Sequence, residues 1–142
     1  MTALLVETTA NEPCPLDFQG DTAPLVYLMS FAVAERFGAQ HELSEAAAIL
    51  KRQLKINLAP LQKFGDAEPE GPADLQELEG LWQEPGPLAE TANQVADALC
   101  SNPKLRRLTA GYPGLPDRLQ ELARIARWAN ERQARIRLTY LL

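Results

Sequence analysis

The chain has 142 residues, 46% of them hydrophobic and 23% charged, with a formal net charge of -5. That length suits one domain of the commonest size, burying roughly 70% of its unfolded surface, and the composition lacks the low-hydrophobicity, high-charge signature of a disordered chain. The first residues carry no basic start and only a short apolar run, and the nearly uncharged stretch over residues 23–34 falls short of the roughly 18 residues that span a bilayer. A cytoplasmic protein with no membrane partner is therefore expected.

Residues 1–20 read as an extended N-terminal segment. A first helix follows, with Leu25, Leu28, Met29, Ala32, Val33 and Phe37 at spacings of three and four, Asp21 or Thr22 as cap and Gly38 as stop. Val26, Tyr27 and Phe31 make it apolar almost all round, which predicts a central position. Ser44 is the expected cap of a second helix with the stripe Ala47, Leu50, Leu54, Leu58 and Leu61, stopped or kinked at Pro60. Residues 65–74, rich in Gly, Pro and acids, read as an exposed loop and the best site for proteolytic nicking.

Leu75, Leu78, Leu81 and Trp82 predict a short third helix ending at Pro85. The fourth carries Leu88, Ala92, Val95, Ala96 and Leu99, and Cys100, four residues after Ala96, is expected in the core. Asn102 and Pro103 open a short fifth helix that Gly111 stops. A sixth, capped by Asp117, presents Leu119, Leu122, Ala126 and Ala129, with Ile125 at the edge, and runs to about Gln133. From Ile136 the pattern fits a strand or a continued helix. The fold expected is all-α, an irregular bundle of five or six helices forming a single domain over 1–142. A short terminal pairing of residues 4–8 with 136–142 is the minor alternative.

Chemistry-bearing residues are sparse. His41, the one histidine, shares helical spacing with Glu45, yet a metal site needs three or four ligands and neither cysteine is close in sequence. A solvated turn is the better reading. Cys14 lies between Pro13 and Pro15 without a sequence-local base, two such cysteines do not make a disulfide framework, and no acidic pair stands out as acid and base. No catalytic, cofactor-binding or metal-ligating residue is expected, and no stretch carries a family motif.

Charge is the one feature above background. Residues 1–102 hold 5 basic and 16 acidic side chains, a net of -11, and residues 103–142 hold 9 and 3, a net of +6. Such polarity points to nucleic acid, an anionic surface or an acidic protein. On a helical wheel Arg124, Arg127 and Arg135 lie opposite the apolar stripe of the sixth helix, flanked by Trp128. Glu131 is spaced to pair with Arg127 and Arg135, and Glu121 with Arg124. Trp128 suits a core edge slightly better than a subunit interface.

The function expected is a non-catalytic helical protein–protein interaction module, self-associating or part of a larger assembly. Arg124, Arg127, Trp128, Arg135, Leu138 and Tyr140 are its candidate contact residues. The alternative is a nucleic-acid binder using Lys104, Arg106, Arg107, Arg124, Arg127 and Arg135, which the overall acidity opposes. A helical enzyme or small-ligand regulator without an identifiable site ranks third.

Overall fold

The computed structural model describes residues 2–33 and 41–142. The chain is mostly helical but not all-α, because a three-stranded mixed sheet joins its two ends. Strand β1 (Ala3–Thr8) runs antiparallel to β3 (Ile136–Leu141), with Leu4 opposite Tyr140, Val6 opposite Leu138 and Thr8 opposite Ile136. The two-residue β2 (Gly65–Asp66) lies parallel to β3 on its other side, giving the order β1-β3-β2. The terminal pairing that the sequence offered as a minor alternative is thus formed, and it gains a third strand.

The ambiguity at Ile136 is resolved at the preceding turn. The Ala134 N–H donates to the Ala129 carbonyl and the Gln133 N–H to that of Asn130, with Gln133 in the left-handed region (φ 56). This Schellman closure ends the last helix, and the β-branched and aromatic residues that follow suit a strand. Alternation then buries Ile136 and Leu138 with Leu4 on one face.

The helices are α1 (Ala23–Val33), α2 (Glu42–Ala48), α3 (Ala59–Gln62), α4 (Pro72–Glu79), α5 (Pro85–Ser101), α6 (Pro103–Leu108) and α7 (Leu115–Glu131). Asp21 Oδ1 accepts from the Ala23 N–H, whereas Thr22 Oγ1 accepts from the Leu4 N–H and so ties the start of α1 to β1. Phe37 and Gly38, the expected end of this helix, lie outside the described residues. The central position expected for α1 belongs instead to the pair α5 and α7, which make the most extensive helix–helix contact. Ala92 and Ala96 of α5, with Ala123 and Ala126 of α7, are fully buried, and small side chains let helix axes approach closely. Tyr27 and Val33 of α1 remain exposed at 42% and 55%.

His41, not Ser44, caps α2, since His41 Nδ1 accepts from the Leu43 N–H at 3.1 Å and Ser44 is buried one turn inside. The helix then widens into a π-helical stretch (Ile49–Gln53) and stops well before Pro60. There the Leu54 N–H donates to the Ile49 carbonyl, the Ile56 N–H to that of Leu50, and Lys55 adopts φ 57. Pro60 opens α3, where a missing N–H costs nothing. Pro72 and Pro85 open α4 and α5 in the same way. The predicted loop is accordingly shorter: residues 65–66 are β2 and residues from Pro72 onward belong to α4, leaving 67–71 as loop. Asn102 caps α6 as predicted, through Oδ1 to the N–H groups of Lys104 and Leu105. Gly114 precedes α7, and Asp117 lies in its first turn instead of at the cap. The predicted α7 stripe, Leu119, Leu122, Ile125, Ala126 and Ala129, is buried throughout.

One apolar cluster runs from Leu4 through the helices to Leu138. Cys100 is a correction: it is exposed, because successive steps of four residues from Leu88 rotate about 120° by that point and leave the buried arc. Among the described residues no helix is long and apolar enough to cross a membrane.

Candidate interaction surfaces

Arg124 and Arg127 stand exposed on the outer side of α7 and form no ion pair or hydrogen bond among the described residues. The pairs anticipated for them are made elsewhere. Glu121, 6% exposed, turns inward to Arg118, with 2.6 Å between Arg118 Nε and Glu121 Oε1 and a hydrogen bond of 3.1 Å from Nη2 to Oε2. Glu121 also accepts from the Gln19 N–H at 3.3 Å. Glu131 lies 4.0 Å from Arg132, and Arg135 3.8 Å from Glu84. Lys104, Arg106 and Arg107 project from α6, all exposed and all without an ion pair among the described residues.

Of the apolar members of the predicted contact set, two are buried and one is half-buried. Trp128 is 7% exposed and packs with Ala129 and Ala134, so the core reading holds. The Arg132 guanidinium lies 4.1 Å above its ring. Leu138 is fully buried, and Tyr140 is half-buried and meets Phe64 edge-on, with ring centroids 5.9 Å apart. Trp128 and Leu138 thus pack within the monomer, and Tyr140 does so in part.

His41 stacks on Phe31 at 4.2 Å in addition to capping α2. Among the described residues no group of three His, Cys, Asp or Glu side chains is placed to hold a metal ion. Cys14, half-buried, and Cys100 are both free thiols.

One residue absent from the candidate set, Arg137, organises the outer face of the sheet. Arg137 bonds Glu7 Oε2 at 2.9 Å and the Leu78 carbonyl at 3.2 Å, lies 3.8 Å from Glu79, and sits 4.5 Å above the Trp82 ring. Its side chain is only 14% exposed, so one cation fastens β1, β3 and α4 together. Its position between Ile136 and Leu138 was the available signal, since alternation in a strand places it on the opposite face. Close by, Asp66, Glu68, Glu70, Asp74 and Glu77 line a cavity of about 280 Å3 together with Gly65, Leu78 and Leu81, with no basic side chain among them.

A larger cleft, about 610 Å3, follows the outer edge of β1. Residues of β1 form one side of it, residues from Ala10 to Phe18 line another, and Ile125 of α7 contributes as well. Comparisons of the chain with protein-family models, curated proteins and solved structures found no significant match.

Proposed function

We propose that the chain is a non-catalytic protein–protein interaction module that presents the basic side chains of α6 and α7 to an acidic protein surface, one source of which is a second copy of the chain. A single observation carries this reading: the charge asymmetry is only partly cancelled inside the fold, by the pairs of Arg132, Arg135 and Arg137 with Glu12, Glu84, Glu7 and Glu79. Lys104, Arg106, Arg107, Arg124 and Arg127 have no acidic partner among the described residues, while the five acids around the α4 cavity are lined by no base. Basic and acidic surfaces that differ in position favour a head-to-tail contact between copies. Each exposed pair contributes about 0.2–1 kcal/mol, so an interface using several would be weak and salt-dependent.

Sedimentation velocity across salt concentrations tests the proposal. Association at low salt should disappear on reversing Arg124 and Arg127 to Glu, and should return when that variant is mixed with one carrying Glu70→Lys and Asp74→Lys. A wild type that stays monomeric at low salt and binds no acidic protein overturns it. The unpaired state of Arg124 and Arg127 also supports a second reading, nucleic-acid binding. In that case labelled DNA or RNA should bind with a log-log salt slope of roughly -0.9 per duplex phosphate neutralised, and each arginine replaced should lower the slope by nearly one unit. The net charge of -5 opposes that reading at long range.

A further inference from the structure

The geometry points to the free edge of β1 as a docking site for an extended, basic peptide strand of another protein, a site separate from the basic face of α6 and α7. The Thr9 N–H donates to the Arg135 carbonyl at 3.0 Å, in register with the β1–β3 pairing. By the alternation of an antiparallel ladder, Ala3, Leu5 and Glu7 then direct their main-chain groups to β3, and Leu4, Val6 and Thr8 direct theirs away. Thr22 Oγ1 takes the outward N–H of Leu4 at 2.9 Å. Those of Val6 and Thr8 meet no acceptor among the described residues. Because β2 lies on the far side of β3, β1 is the long open edge of the sheet.

The 610 Å3 cleft beside this edge falls within the range of ligand-binding cavities. Half-buried Cys14 and Phe18 and the 40% exposed Leu16 supply apolar surface. Glu7, Glu12 and Asp17 are its charged lining; Glu7 is held by Arg137 at 2.9 Å and Glu12 by Arg132 at 2.6 Å, and Asp17 has no ion pair among the described residues.

Two features select the occupant. The outward groups of Val6 and Thr8 are two residues, about 7 Å, apart, the repeat at which an extended strand offers its own alternate N–H and carbonyl groups. A strand added there would take its affinity from main-chain hydrogen bonds and its specificity from alternate side chains directed at the cleft. The unpaired Asp17 of the lining and the chain's net charge of -5 favour a basic strand over an acidic one. A second copy would bring the same acids to the same edge, and its own residues 10–18 would meet the segment that already lines the cleft.

The test uses a fluorescein-labelled seven-residue peptide alternating Val and Lys, followed by anisotropy and by amide exchange of the full chain. Saturable binding below about 1 mM is expected, with the Val6 and Thr8 amides becoming protected while those of Leu5 and Glu7 are protected throughout. N-methylation of every peptide amide should abolish binding. Replacing its Lys by Glu should weaken binding roughly tenfold, as should Val6→Pro, which removes an outward donor and leaves the ladder to β3 intact. Binding that survives both N-methylation and Val6→Pro overturns the inference, as does the absence of saturable binding. A peptide-free dimer dispersed by Val6→Pro also overturns it, by making a second copy the occupant. Should Val6→Pro fail to fold, amide protection and the N-methylated peptide decide on the wild type alone.

Discussion

Replacing Arg118 by Met should reveal how far the fold depends on one enclosed ion pair. Arg118 and Glu121 are one turn apart on α7, with side chains only 12% and 7% exposed. Without the guanidinium, the Glu121 carboxylate keeps one protein donor among the described residues, the Gln19 N–H at 3.3 Å. Breaking a fully buried pair costs about 3–5 kcal/mol, and the residual exposure here lowers that to about 2–4 kcal/mol, a fall in Tm of roughly 6–15 °C for a chain of this size. The double replacement Arg118→Met with Glu121→Leu removes the stranded charge and should cost less than about 1 kcal/mol. Gly20 offers an independent probe, because a Cβ there would lie 1.8 Å from Arg118 Nη1. Gly20→Ala should therefore cost about 1–3 kcal/mol in the wild type, by displacing the guanidinium from its carboxylate, and almost nothing in the double variant. Urea denaturation at constant m measures all of these. If the two single replacements at 118 and 121 simply add, with no coupling above about 0.5 kcal/mol, the enclosed pair is not a unit and the reasoning fails.

Gln133→Gly should stabilise by about 0.5–1 kcal/mol, since φ 56 is strained for a side chain and free for glycine; thermal denaturation checks it, and a destabilised variant would mean that the Gln133 side chain has an unrecognised role. Asn102→Ala should cost about 1 kcal/mol in chemical denaturation by stripping the start of α6 of both side-chain hydrogen bonds. Leu122→Ala, in the fully buried seam between α5 and α7, should cost about 2–5 kcal/mol. Limited proteolysis should cut first within residues 67–71, and a first cut inside α5 or α7 would contradict the assigned order of stability.

The stripes of α5 and α7 were legible because a period near 3.6 persisted for four or more turns, and the Asn102 cap because its chemistry is local. The sheet was less so. Ile136 and Tyr140, four residues apart, satisfy a helix as well as a strand, and the partner that decides between them, β1, lies some 130 residues away. Prolines misled for a physical reason: Pro60 and Pro85 can end one helix and suit the first turn of another equally well, and only the structure tells which side the helix occupies. The ion pair expected between Glu121 and Arg124 was misassigned because the spacing allows Arg118 on one side and Arg124 on the other. Spacing cannot say that one of these arginines faces inward. The cleft beside β1 was invisible because it belongs to a strand edge, and an edge exists only once the sheet has formed.

The long-range pairing of β1 with β3 also has a consequence in time. At roughly 5–20 residues per second, a ribosome completes β1 about 6–26 s before it reaches the first residue of β3. Throughout that interval both edges of Ala3–Thr8 are unpaired, and neither Arg137 nor the turn at Gln133 exists to hold them. The α5–α7 seam forms no sooner, because α7 ends at Glu131, only five residues before β3 begins, so helical layer and sheet are completed almost together. For the nascent chain, β1 is therefore a segment open to chaperones and to misplaced strands long before it is the edge of a sheet.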